Sequence, residues 1–182
     1  MNVIKKIILI NLLFISVSIN AQSLSDLYEQ VNPAVVVILT EQKELVSSGK
    51  MTKTVTSGGL GSGFMISDSQ IVTAAHVVKV PERLIVQFSD GETIPAKVVT
   101  AYASADIALI ELFRPRMNAT TVKFGDSDSM KIGQRIFVVG VPLGVGFSMS
   151  SGYVSAVKNE SLGKNPFTSA DFIQTDAAIN QG

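Results

Sequence analysis

The sequence predicts an all-β fold, a barrel or sandwich built from short antiparallel strands. Short β-branched and apolar runs recur at regular spacing, with Gly, Asp and Pro turns between them. Helical periodicity is almost absent beyond one short N-terminal segment. The composition is globular, 46% hydrophobic and 16% charged over 182 residues, which leaves room for one domain or two small ones.

The elements follow in order. Ser23 or Ser25 is placed to cap a short helix through Asp26, Leu27, Tyr28 and Val31, with Pro33 beyond its end. Residues 34–39 form a β-branched run suited to a buried strand. Residues 41–59 are polar and show little periodicity, so they are expected to form a long mobile loop. Two apolar runs, 64–66 and 71–72, flank the turn Ser67-Asp-Ser-Gln70 and predict a hairpin. Leu84, Val86 and Phe88 then alternate with Ile85 and Gln87, and Ser89-Asp-Gly-Glu92 supplies turn chemistry before a strand over 93–99. Residues 107–112 make another apolar strand, ended by Arg114-Pro-Arg116, and a first barrel is expected to close near residue 115. A second set of strands is predicted at 136–139, 148–157 and 172–175, with a Gly-, Asn- and Pro-containing loop over 158–171.

The N-terminus has the pattern of a signal peptide over residues 1–21. Lys5 and Lys6 form a basic start, residues 7–19 an apolar core, and Ala21 a small residue before a cleavage point. This predicts export to a bacterial periplasm or envelope, without stable membrane insertion after cleavage. The chain has no cysteine, so neither a disulfide nor a thiol nucleophile is available. Fifteen basic residues balance fifteen acidic ones, and nothing in that balance points to a nucleic-acid partner.

The chemistry centres on the chain's one histidine, His76. It follows the hairpin in Ile71-Val-Thr-Ala-Ala-His-Val-Val78, where small residues let the backbone turn while the imidazole projects from a strand end. Thirty positions later, Asp106 opens the strand over 107–112 in Ser104-Ala-Asp-Ile-Ala-Leu-Ile110. Asp106 also fits an ordinary turn position. A carboxylate at the start of an apolar strand is expected to be partly buried, however, and then needs a hydrogen-bonding partner, for which His76 is the candidate. One histidine and scattered carboxylates make no convincing metal site, and no metal or organic cofactor is expected. The glycines of Gly58-Gly-Leu-Gly-Ser-Gly63 follow a polar segment and precede strand-like residues, which argues against a phosphate loop and for a closely packed strand entry.

Gly61-Ser-Gly-Phe-Met-Ile66 followed by Ile71-Val-Thr-Ala-Ala-His-Val-Val78 resembles the histidine region of trypsin-like serine proteases of the bacterial HtrA (Deg) family. Ser104-Ala-Asp-Ile-Ala-Leu-Ile110 resembles the family's aspartate motif, in the same chain order. The resemblance implies a trypsin-like double β-barrel, its second barrel incomplete, with residues 22–117 as the first barrel and 118–182 as part of the second. It implies His76 as general base and then acid, and Asp106 as its orienter. It places residues 41–59 where the family carries a regulatory loop, and 158–171 where the family senses bound substrate or an accessory domain.

Gln174-Thr-Asp-Ala-Ala-Ile-Asn-Gln-Gly182 is similar to the segment leading into the family's Gly-Asn-Ser-Gly-Gly, which puts the nucleophile two positions past Gly182. Ile179, Asn180 and Gln181 would line the specificity pocket, and the Gly182 N–H would contribute to the oxyanion hole. The 182 residues are thus expected to hold the base and its orienting acid without the serine, and to be inactive alone, with unpaired edges in the second barrel. Ser127 and Ser129 lie in a turn and Ser148, Ser150 and Ser151 in a β segment without a nucleophile elbow, so none is expected to substitute. The implied activity is endopeptidase cleavage of unfolded or misfolded exported polypeptides by acyl transfer, in a protein that is a homo-oligomer when complete. The alternative is a non-catalytic chaperone or peptide-binding protein on the same scaffold.

Overall fold

A computed structural model describes residues 23–48, 51–79, 81–142, 146–157 and 172–179. The expected signal peptide over 1–21 and the expected loop over 158–171 lie outside these residues. Helix α1 (Leu24–Val31) is capped reciprocally: Ser23 Oγ accepts from the Asp26 N–H at 3.1 Å, and Asp26 accepts from the Ser23 N–H at 3.2 Å. Pro33 lies in the 3-10 turn that follows, Asn32–Ala34, and ends the α-helix.

Six strands then close a barrel: β1 (Val35–Ser48), β2 (Met51–Met65), β3 (Gln70–Thr73), β4 (Arg83–Gln87), β5 (Thr93–Tyr102) and β6 (Ile107–Leu112), in the spatial order β1-β2-β3-β6-β5-β4. All neighbours are antiparallel, and β1 pairs with both β2 and β4 to complete the ring. Alternation fills its interior. Leu84, Val86 and Phe88, then Ile94 and Ala96, then Ala108, Ile110 and Leu112 all point inward, joined by Val36, Ile38, Met65, Ile71 and Val78. Burial of this set is the main favourable term for the barrel.

Two strands extend further than the sequence suggests. Of residues 41–59, expected to be a loop, 41–48 and 51–59 belong to two long strands, β1 and β2, which pair from Val35↔Phe64 to Ser48↔Met51. Beyond Glu41 β1 no longer pairs with β4, and each strand of this ribbon has the other to satisfy its backbone. Strand β5 likewise runs past the expected end at Val99 to Tyr102. A bulge between Val98 and Thr100 leaves Val99 out of register, which conceals the continuation from a two-residue pattern.

The chain leaves the barrel under a clasp. The Arg116 guanidinium lies 3.8 Å from the Phe88 ring centroid and bonds Asp90 at 2.8 Å and Glu92 at 3.2 Å. The Arg116 bond, with the Glu92 N–H, holds the Asp90 carboxyl below its ordinary range. Residues 127–129 form a 3-10 turn capped by Asp126, in keeping with the expected turn. The second unit is a three-stranded antiparallel sheet of β7 (Arg135–Gly140), β8 (Ser148–Ala156) and β9 (Gln174–Thr175). Phe172 and Ile173, expected at the start of β9, precede it and are exposed. Among the described residues, no helix is long and apolar enough to cross a membrane.

Glycine at 63 is required by the packing of β2 against its neighbours. A Cβ there would lie 2.8 Å from Ile38 Cδ1 and from Ile71 Cγ2, and 3.0 Å from the Val72 carbonyl. Gly63→Ala is therefore expected to destabilise the protein by about 1–3 kcal/mol, read as a lower urea midpoint at unchanged slope.

Candidate active site

The register of β3 on β6 brings the two candidate residues together. The pairs run from Gln70↔Glu111 to Thr73↔Ala108, and continuing the same register sets Ala75 opposite Asp106. The Ala75 N–H does donate to the Asp106 carbonyl at 3.1 Å. His76 is next in the chain. A turn closes around it through bonds from the Val77 N–H to the Ala74 carbonyl and from the Val78 N–H to the Ala75 carbonyl.

Asp106 has φ 53°, in the left-handed region that aspartate tolerates better than most residues. In this conformation its carboxylate faces back toward β3. One oxygen, Oδ1, accepts the His76 N–H at 2.9 Å, and the other, Oδ2, lies 2.7 Å from His76 Nδ1. An ionised carboxylate can only accept, so Nδ1 carries the proton of this bond and Nε2 of the neutral ring is left as an acceptor. The bond from the His76 N–H, then that from the ring, hold the Asp106 carboxyl below its ordinary value.

Burial is not the cause. The Asp106 side chain is 53% exposed and that of His76 71%, which corrects the expectation that Asp106 is partly buried. Two backbone bonds and one ring bond hold the pair where desolvation does not.

Further contacts fix the turn. Gln42 Nε2 donates to the Lys79 carbonyl at 2.7 Å, and the Thr73 hydroxyl donates to the Ser62 carbonyl at 2.8 Å. Gly61 packs so closely that a Cβ would lie 2.6 Å from both methyls of Val77, the residue after His76. Sequence reasoning did not single out Gln42, and it read Thr73 only as one of the small residues that let the backbone turn before His76. The signal for Thr73 was a hydroxyl at an inward position of an apolar strand.

A cavity of about 550 Å³ separates the barrel from the second sheet, with His76, Ser62, Val141, Ser150 and Ile179 among its lining residues. Ile179 thus stands at the cavity that His76 faces, and it is exposed. Asn180, Gln181 and Gly182 lie outside the described residues. Ser150 donates its hydroxyl to the Ala178 carbonyl at 2.6 Å, and Ser62 Oγ accepts the Val141 N–H at 2.9 Å, so both hydroxyls are engaged by backbone. Among the described residues, no group of three or more histidine, cysteine, aspartate or glutamate side chains is arranged to hold a metal ion.

Residues 61–182 match the trypsin-like peptidase domain, and a closed barrel followed by a second sheet, with the histidine of a histidine–aspartate pair lining the cavity between them, is consistent with that match. The chain belongs to the trypsin-like peptidase family. This homologue of the HtrA/DegP serine proteases is 34% identical over 187 residues to a probable periplasmic serine protease, do/HhoA-like, of Haemophilus influenzae, covering 88% of this chain and 40% of that protein. It is 42% identical over 125 residues to the periplasmic serine endoprotease DegP of Salmonella typhimurium, covering 68% of this chain and 26% of DegP. The chain therefore spans well under half the length of these relatives. Among solved structures, the HtrA-type protease AlgW with decapeptide superposes with a TM-score of 0.71 at 28% identity, over 88% of this chain and 53% of that one.

Because the folded Asp106 carboxyl titrates below its unfolded value, its contribution is complete above that value and is lost as pH falls through the lower, folded one. The stability difference between the wild type and Asp106→Asn is expected to shrink as pH falls below the ordinary value of 3.8. Urea unfolding of both proteins at about pH 6 and about pH 3 checks this.

Proposed function

We propose that this chain carries the general base and its orienting acid of an exported HtrA-type serine endopeptidase that cleaves unfolded or misfolded polypeptides. The observation that carries the reading is the 2.7 Å contact of Asp106 Oδ2 with His76 Nδ1, which leaves Nε2 free to accept a proton.

In this mechanism Nε2 takes the proton of a serine hydroxyl as its oxygen attacks the scissile carbonyl. The imidazolium that forms is stabilised by the Asp106 carboxylate and then protonates the leaving amine. A water, activated by the same nitrogen, hydrolyses the acyl-enzyme. The serine required is the one that the resemblance places two positions past Gly182, with the Gly182 N–H toward the oxyanion and Ile179, Asn180 and Gln181 beside the substrate side chain. Residues 1–182 alone are inactive on this reading. Periplasmic relatives support an exported location, and homo-oligomeric assembly belongs to the same proposal.

The test is cleavage of casein by the full-length protein and two variants. His76→Ala and Asp106→Asn are each expected to lower kcat by about four orders of magnitude while the fold is retained by circular dichroism. Wild-type binding of unfolded casein with no cleavage would instead favour a chaperone on the same scaffold.

A further inference from the structure

Ser62 lies between two buried glycines on β2, and its two oxygens serve different parts of the molecule. The carbonyl accepts from the hydroxyl of Thr73, at the end of the strand that leads to His76, at 2.8 Å. The side-chain Oγ accepts from the N–H of Val141, the residue after β7, at 2.9 Å. Val141 is 2% exposed and Thr73 6%, so both donors sit where water is a poor substitute. A Cβ on Gly140 would stand 3.5 Å from Ser62 Oγ, so the end of β7 is seated directly on this hydroxyl.

We infer that Ser62 is a positioning residue, a peg that sets the end of β7 against the strand carrying His76 and so fixes the width of the cleft. Its neighbours cannot yield: a Cβ on Gly61 meets Val77, and one on Gly63 meets Ile38 and Ile71. The backbone at Ser62 is thereby held by the barrel, and Val141 takes its place from the barrel. This rests on the endopeptidase reading, in which the imidazole must meet a nucleophile and a substrate carried on the second-sheet side. Proximity effects of that kind are lost steeply with displacement.

The test compares Ser62→Ala and Ser62→Thr in the full-length protein, with Ile94→Val, in the barrel interior, as a stability control. Ser62→Ala is expected to lower kcat on a peptide substrate by about tenfold with KM changed less than about threefold, and Ser62→Thr to recover most of the loss. The Val141 amide is expected to exchange with deuterium at least about tenfold faster in Ser62→Ala, with the Val86 amide unchanged. Wild-type kcat in Ser62→Ala overturns the proposal. So does unchanged Val141 exchange, or a kcat loss matched by Ile94→Val at equal loss of thermal midpoint. If the wild type cleaves nothing, the endopeptidase reading fails, and Val141 exchange alone decides whether the peg exists.

Discussion

The site depends on one constraint, the antiparallel register of β3 on β6. A strand ending at Thr73 and a strand starting at Ile107 are locked opposite each other, so the residues just beyond both ends must meet. Barrel closure makes that register unique. With β1 pairing on both sides, no edge is available along which the strands could slip, and a shift by one residue would turn the inward set of Ile71, Ala108 and Ile110 to solvent. The aspartate then adds direction: its left-handed backbone presents a carboxylate to a backbone N–H and a ring nitrogen of the same residue. The pair owes its definition to geometry inherited from the sheet, and both side chains stay open to solvent.

Much of this was legible because the barrel strands bury one face. Alternation at Leu84, Val86 and Phe88, and the apolar run from Ile107 to Leu112, follow directly from that burial. The long β1–β2 ribbon was not legible, since its residues are polar with little periodicity and its strands are held by pairing with each other, which no side-chain pattern records. Asp106 was found, but for an incomplete reason. The expected cause was desolvation at a strand entry, whereas bonds from the His76 N–H and ring hold the carboxylate, and one from the Ala75 N–H its backbone carbonyl, in an exposed position. Ser62 and Gln42 carry no pattern of their own, and their roles emerge only from partners far along the chain.

The two halves of the chain are held by different means. The barrel has a continuous apolar interior and is capped by Arg116, which spends its charge on Asp90 and Glu92 while its plane covers Phe88. Among the described residues, the second half of the chain has fewer buried apolar side chains, Val141, Val154 and Ala177 among them, and leaves Tyr153 and Phe172 exposed. Its internal order relies more on polar ties, such as the bond from the Tyr153 N–H to Asp176 at 2.6 Å and that from Ser150 to Ala178.

The contiguity of the barrel in the chain has a consequence for the order of assembly. All six of its strands fall between Val35 and Leu112, so every hydrogen bond between His76 and Asp106 is available once that stretch has emerged and collapsed. The cleft is different in kind, because its second wall comes from residues later in the chain, among them Val141, whose N–H bonds Ser62 Oγ. The imidazole and its aspartate are thus set by one short stretch of chain, and the second wall that His76 faces is supplied by another.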